Sequence, residues 1–367
     1  MRITFCLQTA NRSGGVKVVA QYADRLVRRG HDVTVVSGPV PAPTLRQRLR
    51  QTARSLASGR RPPRYEVFPP SALDGMPHVR HHRVAESRPF VDDDFPDADV
   101  VVATWWETAE QVARLSPRKG AKAYFVQGLE STIDGMPAAR VEATLDLPLH
   151  PIVVARFLVD HLRVVHGRKD EISYVPNAVD GTLFDAPPRG KRPRPTIACI
   201  HTGASHVKGF DVTRAALLEV ALRAPEVHVL CFGTPPAPSG PLPSSFEYVR
   251  DPAQTEIPKL YARADVFAHG SRVEGFGLPI LEAMACRTPV VATPAGAAPE
   301  LLAEGRGRMI ARVDPNAMAH AILDVLGLSD DAWRALSDRA HAHAHAYGLE
   351  EATERMEAAL VLATRRA

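Results

Sequence analysis

Residues 266–302 read VFAHGSRVEGFGLPILEAMACRTPVVATPAGAAPELL. An apolar strand delivers the chain to Ser271, a loop carries Glu274, and Gly275-Phe276-Gly277-Leu278-Pro279 opens a helix bearing Glu282 before the next strand at 289–293. Strand, glycine turn, helix and strand in that order make a parallel βαβ unit. The glycines let the backbone approach a ligand closely, and Pro279 suits a first helical turn. The helix start offers unpaired N–H groups and a positive dipole to a phosphate. Glu274 precedes the helix and Glu282 lies about one turn inside it, so both carboxylates can accept hydrogen bonds from vicinal hydroxyls of a sugar or a ribose. The plain alternative has Glu274 capping the helix and Glu282 solvated.

The same alternation fills the chain. ITFCLQ is a short apolar strand, NRSGG a turn, VKVVAQYADRLVRRG an amphipathic helix ending on Gly30, and DVTVVSG a second strand. Further strands read at 98–103, 123–126, 152–154 and 172–175, with helical patterns between several of them. APPRGKRPRP at 186–195 has the composition of an interdomain linker. A second series then runs from TIACIHTG through a helix at about 210–224, VHVLCF, ADVFAHGS and PVVAT to a helical end. The reading is α/β, two Rossmann-like doubly wound domains facing across a cleft: 1–185 on the acceptor side, the 186–195 linker, and 196–348 binding the donor. Ligands of such sheets bind beyond the carboxyl ends of the strands. With 367 residues the chain suits two cores better than one.

The stretch around Glu274 and Glu282 resembles the signature of the family 4 retaining glycosyltransferases, which have the GT-B fold. The resemblance covers essentially the whole chain in order. Gly14-Gly15 resembles that family's glycine loop near the donor phosphates, VPNAVD at 175–180 its segment before the hinge, and Lys208-Gly209 its diphosphate-binding lysine; the helix at about 349–365 resembles the one that crosses back to the first domain. It implies a nucleotide diphosphate sugar as donor, bound by Gly14, Gly15, Lys208, Glu274, Gly275, Phe276, Gly277, Leu278 and Glu282. Glu274 and Lys208 carry the chemistry, Glu274 holding the sugar and Glu282 the ribose.

Lys208 has a physical case of its own. It follows a strand and precedes a helix at the cleft edge, where an ammonium can neutralise a departing diphosphate. HTGASHVKG lacks the Arg that many members carry about five residues before this lysine. Gln127 stands where many have His; it can hydrogen-bond a hydroxyl but cannot hold a proton at neutral pH, which excludes a general base there. Arg287 replaces a usual Gly. No second carboxylate pair suggests a double displacement, so front-face attack is the most economical expectation. No cofactor and no metal ion are expected.

The acceptor is unidentified. Trp105, beside Trp106 after strand ADVVVAT, is with Gln127 an acceptor-side candidate, since aromatic faces pack on sugar rings, or else it serves interdomain packing. Residues 41–65 hold seven arginines and no acid before Tyr65. Leu45, Leu49, Ala53 and Leu56 fall near one helical face, leaving Arg46, Arg50, Arg54 and Arg60 to the others. Within segment 46–64 that pattern suits peripheral contact with anionic lipid, an anionic soluble acceptor, or a mobile loop.

Asp92-Asp93-Asp94 precedes a strand, whereas a metal-binding DxD should follow one, and reads as a solvated loop. Of His341, His343 and His345, only the first and last share a helical face. Cys6, Cys199, Cys231 and Cys286 sit in apolar segments and read as buried thiols. The net charge of +4 lies in the first half and is too small for nucleic-acid binding. The start lacks a signal-peptide pattern and no apolar run is long enough to span a bilayer, so a cytoplasmic protein is expected. A nucleotide-sugar epimerase and a non-catalytic sugar-nucleotide or glycan-binding protein are the competing readings.

Overall fold

The computed structural model describes residues 1–57, 65–203 and 205–366. Its first sheet contains β1 (Arg2–Thr9), β2 (Asp32–Gly38), β3 (Arg80–Arg83), β4 (Val100–Ala103), β5 (Ala121–Val126), β6 (His150–Val153) and β7 (Ser173–Tyr174). All are parallel, in the order β3-β2-β1-β4-β5-β6-β7. The second contains β8 (Thr196–Ile200), β9 (His228–Gly233), β10 (Phe246–Arg250), β11 (Val266–His269), β12 (Val290–Ala292) and β13 (Arg308–Met309). It is parallel too, in the order β10-β9-β8-β11-β12-β13. Both orders reverse beside their first strand, which creates the crevice where such folds take ligands.

The helices of the first half are α1 (Gly14–Arg28), α2 (Leu45–Ala57), α3 (Trp106–Arg114), α4 (Ala138–Thr144) and α5 (Arg156–Val164). Those of the second are α6 (Phe210–Arg223), α7 (Ile257–Ala262), α8 (Leu278–Ala285), α9 (Ala298–Leu301), α10 (Pro315–Leu326), α11 (Asp330–His345) and α12 (Leu349–Arg366). Central strands such as VVVA in β4 are buried along their whole length, as expected when helices cover both faces of a parallel sheet. On α1 the buried Val16, Val19, Ala23 and Leu26 recur at helical spacing and fix its inner face. All four cysteines are buried and free.

The last helix returns to the first domain. α12 packs on β5 and α1, burying Met356 and Leu360, while Arg29 donates to Glu357 at 2.9 Å and pairs with Glu350. The Pro-rich stretch is tied down by its basic residues. Arg189 reaches Asp265 at 3.1 Å and stacks over Trp333, and Lys191 donates to the carbonyls of Leu326 and Leu328. It is anchored to the second domain by charges that its composition offered no reason to place.

α2 forms over the Arg-rich stretch with Leu45, Leu49 and Leu56 each more than 60% exposed. Arg46 and Arg50 are exposed as well. Residues 58–64, with Arg60, and the side chain of Arg54 lie outside the described residues. No helix among the described residues is long and apolar enough to cross a membrane.

Candidate active site

A cleft of about 530 Å³ opens between the carboxyl ends of the two sheets. From the first domain it is lined by Gln8 of β1, Gly15 of α1, Trp105 after β4 and Gln127 after β5; from the second, by Lys208 and Glu274. β8 ends at Ile200, and the chain then turns through Lys208 and Gly209 into α6. Gly209 adopts φ +58, and a Cβ there would meet the Gly270 carbonyl at 1.9 Å, so only glycine permits this close approach of the two loops.

Lys208 and Glu274, 66 residues apart, meet: Lys208 Nζ donates to Glu274 Oε2 at 2.9 Å. Ser271 Oγ donates to Glu274 Oε1 at 2.8 Å, and His269 Nε2 stands 3.4 Å from the same oxygen, too far for a well-formed hydrogen bond. Burial alone would raise the Glu274 carboxyl, but His269 and Lys208 outweigh it and hold it down at about 2. Glu274 is therefore ionised throughout the neutral range. Its carboxylate bonds to Lys208 and Ser271, while Gly277 caps α8.

Glu282 lies apart from that cleft. It is half-buried on α8, accepts from Tyr261 Oη at 3.1 Å and is 3.9 Å from Lys17 of α1 across the domain boundary. Burial raises its carboxyl against the pull of Lys17. Gly277 caps α8 at φ +100 and Leu278 is the first helical residue, while Phe276 is buried near Tyr347. Gly14 begins α1 with open space around it. Gly15 faces the Gln127 side chain, a Cβ there standing 3.3 Å from its amide. Gly275 abuts Gln127 even more tightly: a Cβ would lie 1.7 Å from the Gln127 carbonyl oxygen. The structure thus brings together Gly15, Gln127, Trp105, Lys208, Glu274 and Gly275, and leaves Glu282 on the adjoining helix and Gly277 at its cap.

Sequence reasoning missed Glu130. It follows β5 at the start of a short 3-10 turn, lines the cleft and is 5% exposed. Burial pushes its carboxyl up to about 8, against hydrogen bonds from the Trp106 amide and Tyr124. The available signal was its position three residues beyond Gln127 at the same strand edge.

Among the described residues, two carboxylate–imidazole groups have ligand-like spacing, Glu142 with His161 and His166, and Asp185 with His341 and His345. None of these residues lines the cleft. The His341 ring sits 2.8 Å from Asp185, a partner brought from the first half of the chain. The acidic run is structural: Asp92 accepts from the Ser116 amide at 2.9 Å and Asp94 pairs with Arg88 at 2.7 Å.

Residues 194–327 match the family model described as Glycosyl transferases group 1. A GDP-mannose-dependent alpha-(1-6)-phosphatidylinositol monomannoside mannosyltransferase of Mycolicibacterium smegmatis is 28% identical over 258 residues, 62% of this chain and 67% of that one. O-antigen chain mannosyltransferase B of Escherichia coli is 40% identical over 100 residues, which span 27% of this chain and only 25% of that relative. The structure of Anabaena HepE in complex with UDP and glucose superposes with a TM-score of 0.70 at 16% identity, covering 98% of this chain and 99% of that one. The partial family match and the relatives support a glycosyltransferase, similar to group 1 and to family 4, and the shared two-sheet architecture is that of the GT-B fold.

Proposed function

We propose that this glycosyltransferase moves a sugar from a nucleotide diphosphate donor to a glycan, lipid-linked or natural-product acceptor, with retention of configuration and without a metal ion. The observation that carries the reading is the Lys208–Glu274 pair, 2.9 Å apart, at the cleft between the strand ends of the two domains. The bond from the sugar's anomeric carbon to the diphosphate oxygen breaks as the acceptor oxygen bonds to that carbon from the same face. The acceptor proton passes to the leaving diphosphate oxygen, and nucleotide diphosphate departs. Lys208 and the backbone of Gly15 and Gly277 stabilise the charge that develops on the diphosphate. Lys208 supplies the cation that a metal ion supplies in other transferases. Glu274, ionised and fixed by Ser271, orients the donor sugar, and Glu282 holds the ribose. Gln127 and Trp105 meet the acceptor.

α2 supports a membrane-linked acceptor. Its exposed leucines and arginines combine an apolar face with positive charge, and Pro41, shortly before it, lines the cleft.

The relatives suggest GDP-mannose and UDP-glucose as first donors. Each is incubated with the protein in EDTA, nucleotide diphosphate release is followed, and the product anomer is read by NMR. Transfer with a retained anomer is expected. An inverted product sinks the front-face mechanism, activity abolished by EDTA and restored by Mn²⁺ sinks metal independence, and an epimerised donor without transfer favours an epimerase.

A further inference from the structure

We propose that Glu130 is the residue that binds the acceptor hydroxyl, and that the reacting end of the acceptor is an uncharged sugar or polyol rather than a phosphorylated one. The inference rests on reading this cleft as the transfer site.

Glu130 is placed for that task by three contacts. Its Oε2 accepts from the Trp106 amide at 2.9 Å and from Tyr124 Oη at 3.2 Å, which fixes the carboxyl against the start of α3 and the end of β5. Both bonds fall on one oxygen of a residue that lines the cleft, so Oε1 is the oxygen left for a ligand. The loop leading to it touches the donor side: a Cβ on Gly128 would stand 3.1 Å from the Gly275 Cα, next to Glu274. A group held by Glu130 and Gln127 is therefore beside the donor sugar. Burial keeps the Glu130 carboxyl protonated at neutral pH, and a neutral carboxylic acid both donates to and accepts from a hydroxyl.

The charge of the wall limits the acceptor. Among the described residues lining the cleft, those of the first domain include no Lys or Arg; Gln8, Asn11, Trp105 and Gln127 are uncharged and Glu107 is acidic. The cation there is Lys208, from the second domain, paired with Glu274. A phosphate brought against Glu107 without a partner would be desolvated uncompensated, whereas hydroxyls find donors and acceptors on every side.

The test uses the full chain with whichever of GDP-mannose and UDP-glucose it turns over. Methyl α-mannoside, methyl α-glucoside and myo-inositol are compared with mannose 6-phosphate, glucose 6-phosphate and inositol 1-phosphate as accelerants of nucleotide diphosphate release. At least one neutral probe is expected to exceed its phosphorylated counterpart by tenfold or more. Glu130→Ala should raise the KM of that probe at least tenfold while the donor KM stays within twofold. Glu130→Gln, which keeps an acceptor for Trp106 and Tyr124 and an N–H donor on the open side, should restore the acceptor KM to within about threefold of wild type. A purely structural role would instead lower the melting temperature of Glu130→Ala and move donor and acceptor KM together. Equal or better use of the phosphorylated probes, no acceleration by any neutral probe, or an unchanged acceptor KM in Glu130→Ala overturns the proposal. Failure of both donors and both nucleotide diphosphates to bind overturns the transferase reading itself.

Discussion

The ammonium of Lys208 lies 2.9 Å from the Glu274 carboxylate, in a pair whose acid is 8% exposed and whose base is 40% exposed. The carboxylate is fixed from its inner side by Ser271, so the partner free to swing is Lys208. In the mechanism proposed above, a departing diphosphate would draw on the outer charge while the inner carboxylate kept its place against the sugar. This asymmetry separates a diphosphate role from a sugar role although the two groups touch.

Lys208→Ala should therefore raise the barrier by about 2–4 kcal/mol, the range for removing one preorganised electrostatic stabiliser. It should also weaken nucleotide diphosphate binding. Single-turnover rates and calorimetric titration with GDP or UDP measure both, and turnover within threefold of wild type would mean that another group neutralises the diphosphate.

Gly275 offers a purely steric test. Its missing Cβ would stand 1.7 Å from the Gln127 carbonyl oxygen, so Gly275→Ala must push the two domains apart or distort the loop carrying Glu274. A stability loss of about 1–3 kcal/mol is expected, the usual cost of overpacking, with kcat/KM falling at least tenfold. Thermal unfolding and steady-state kinetics decide it; an alanine variant with normal values in both would show that this backbone contact is dispensable.

Much of this arrangement was legible in the chain, for identifiable reasons. Fully buried strands such as VVVA leave no polar face to blur their reading, and GFGLP announces a turn into a helix because few other residues tolerate Gly277 at φ +100. Glu130 was illegible because VQGLE reads as a polar loop; its burial comes from Trp106 and Tyr124, whose approach depends on strand order rather than local pattern. The Lys208–Glu274 contact was equally hidden, each residue being readable but their meeting set by the pairing of β8 with β11. Glu282 was assigned to a ribose from its place in the motif, without sight of Lys17 and Tyr261 beside it.

Glu130 also makes stability depend on pH. Its carboxyl ionises near 4.5 ordinarily and near 8 in the folded protein, where burial outweighs the Trp106 amide and Tyr124. Between those values the folded state keeps a proton that the unfolded chain has released, so this residue subtracts stability as pH rises through that window. Glu130→Gln cannot ionise. Its melting temperature, relative to wild type, should climb by several degrees as the pH rises from 5 to 8.5. A difference that is flat with pH would show Glu130 to be ionised in the folded protein.

For α2 the readout is a vesicle. Leu45, Leu49 and Leu56 together, changed to Ser, should reduce co-sedimentation with phosphatidylglycerol–phosphatidylcholine vesicles at least tenfold while GDP or UDP affinity stays unchanged, because α2 lies outside the donor side. Wild-type binding that is equal for vesicles of phosphatidylcholine alone would remove the arginines from the explanation, and no vesicle binding at all would leave α2 without a membrane role.

The two glutamates can be told apart by one variant each. Glu282, if it holds the ribose, interacts alike with donor and nucleotide diphosphate, so Glu282→Gln should weaken both by a similar factor and mainly raise the donor KM. Its contacts with Tyr261 and Lys17 mean that the melting temperature must be measured alongside, since disturbing the domain boundary would also weaken binding. Glu274, if it holds the transferred sugar, has no counterpart in the free nucleotide diphosphate. Glu274→Gln should bind GDP or UDP as wild type does and lose kcat by at least a hundredfold, because misplacing the anomeric carbon forfeits the alignment that makes the attack effectively unimolecular. Losing its carboxylate also frees Lys208, which strengthens the expectation that diphosphate affinity does not fall. If Glu274→Gln weakens nucleotide diphosphate as much as Glu282→Gln does, or keeps full turnover, the division of roles between the two carboxylates is wrong even though the fold stands.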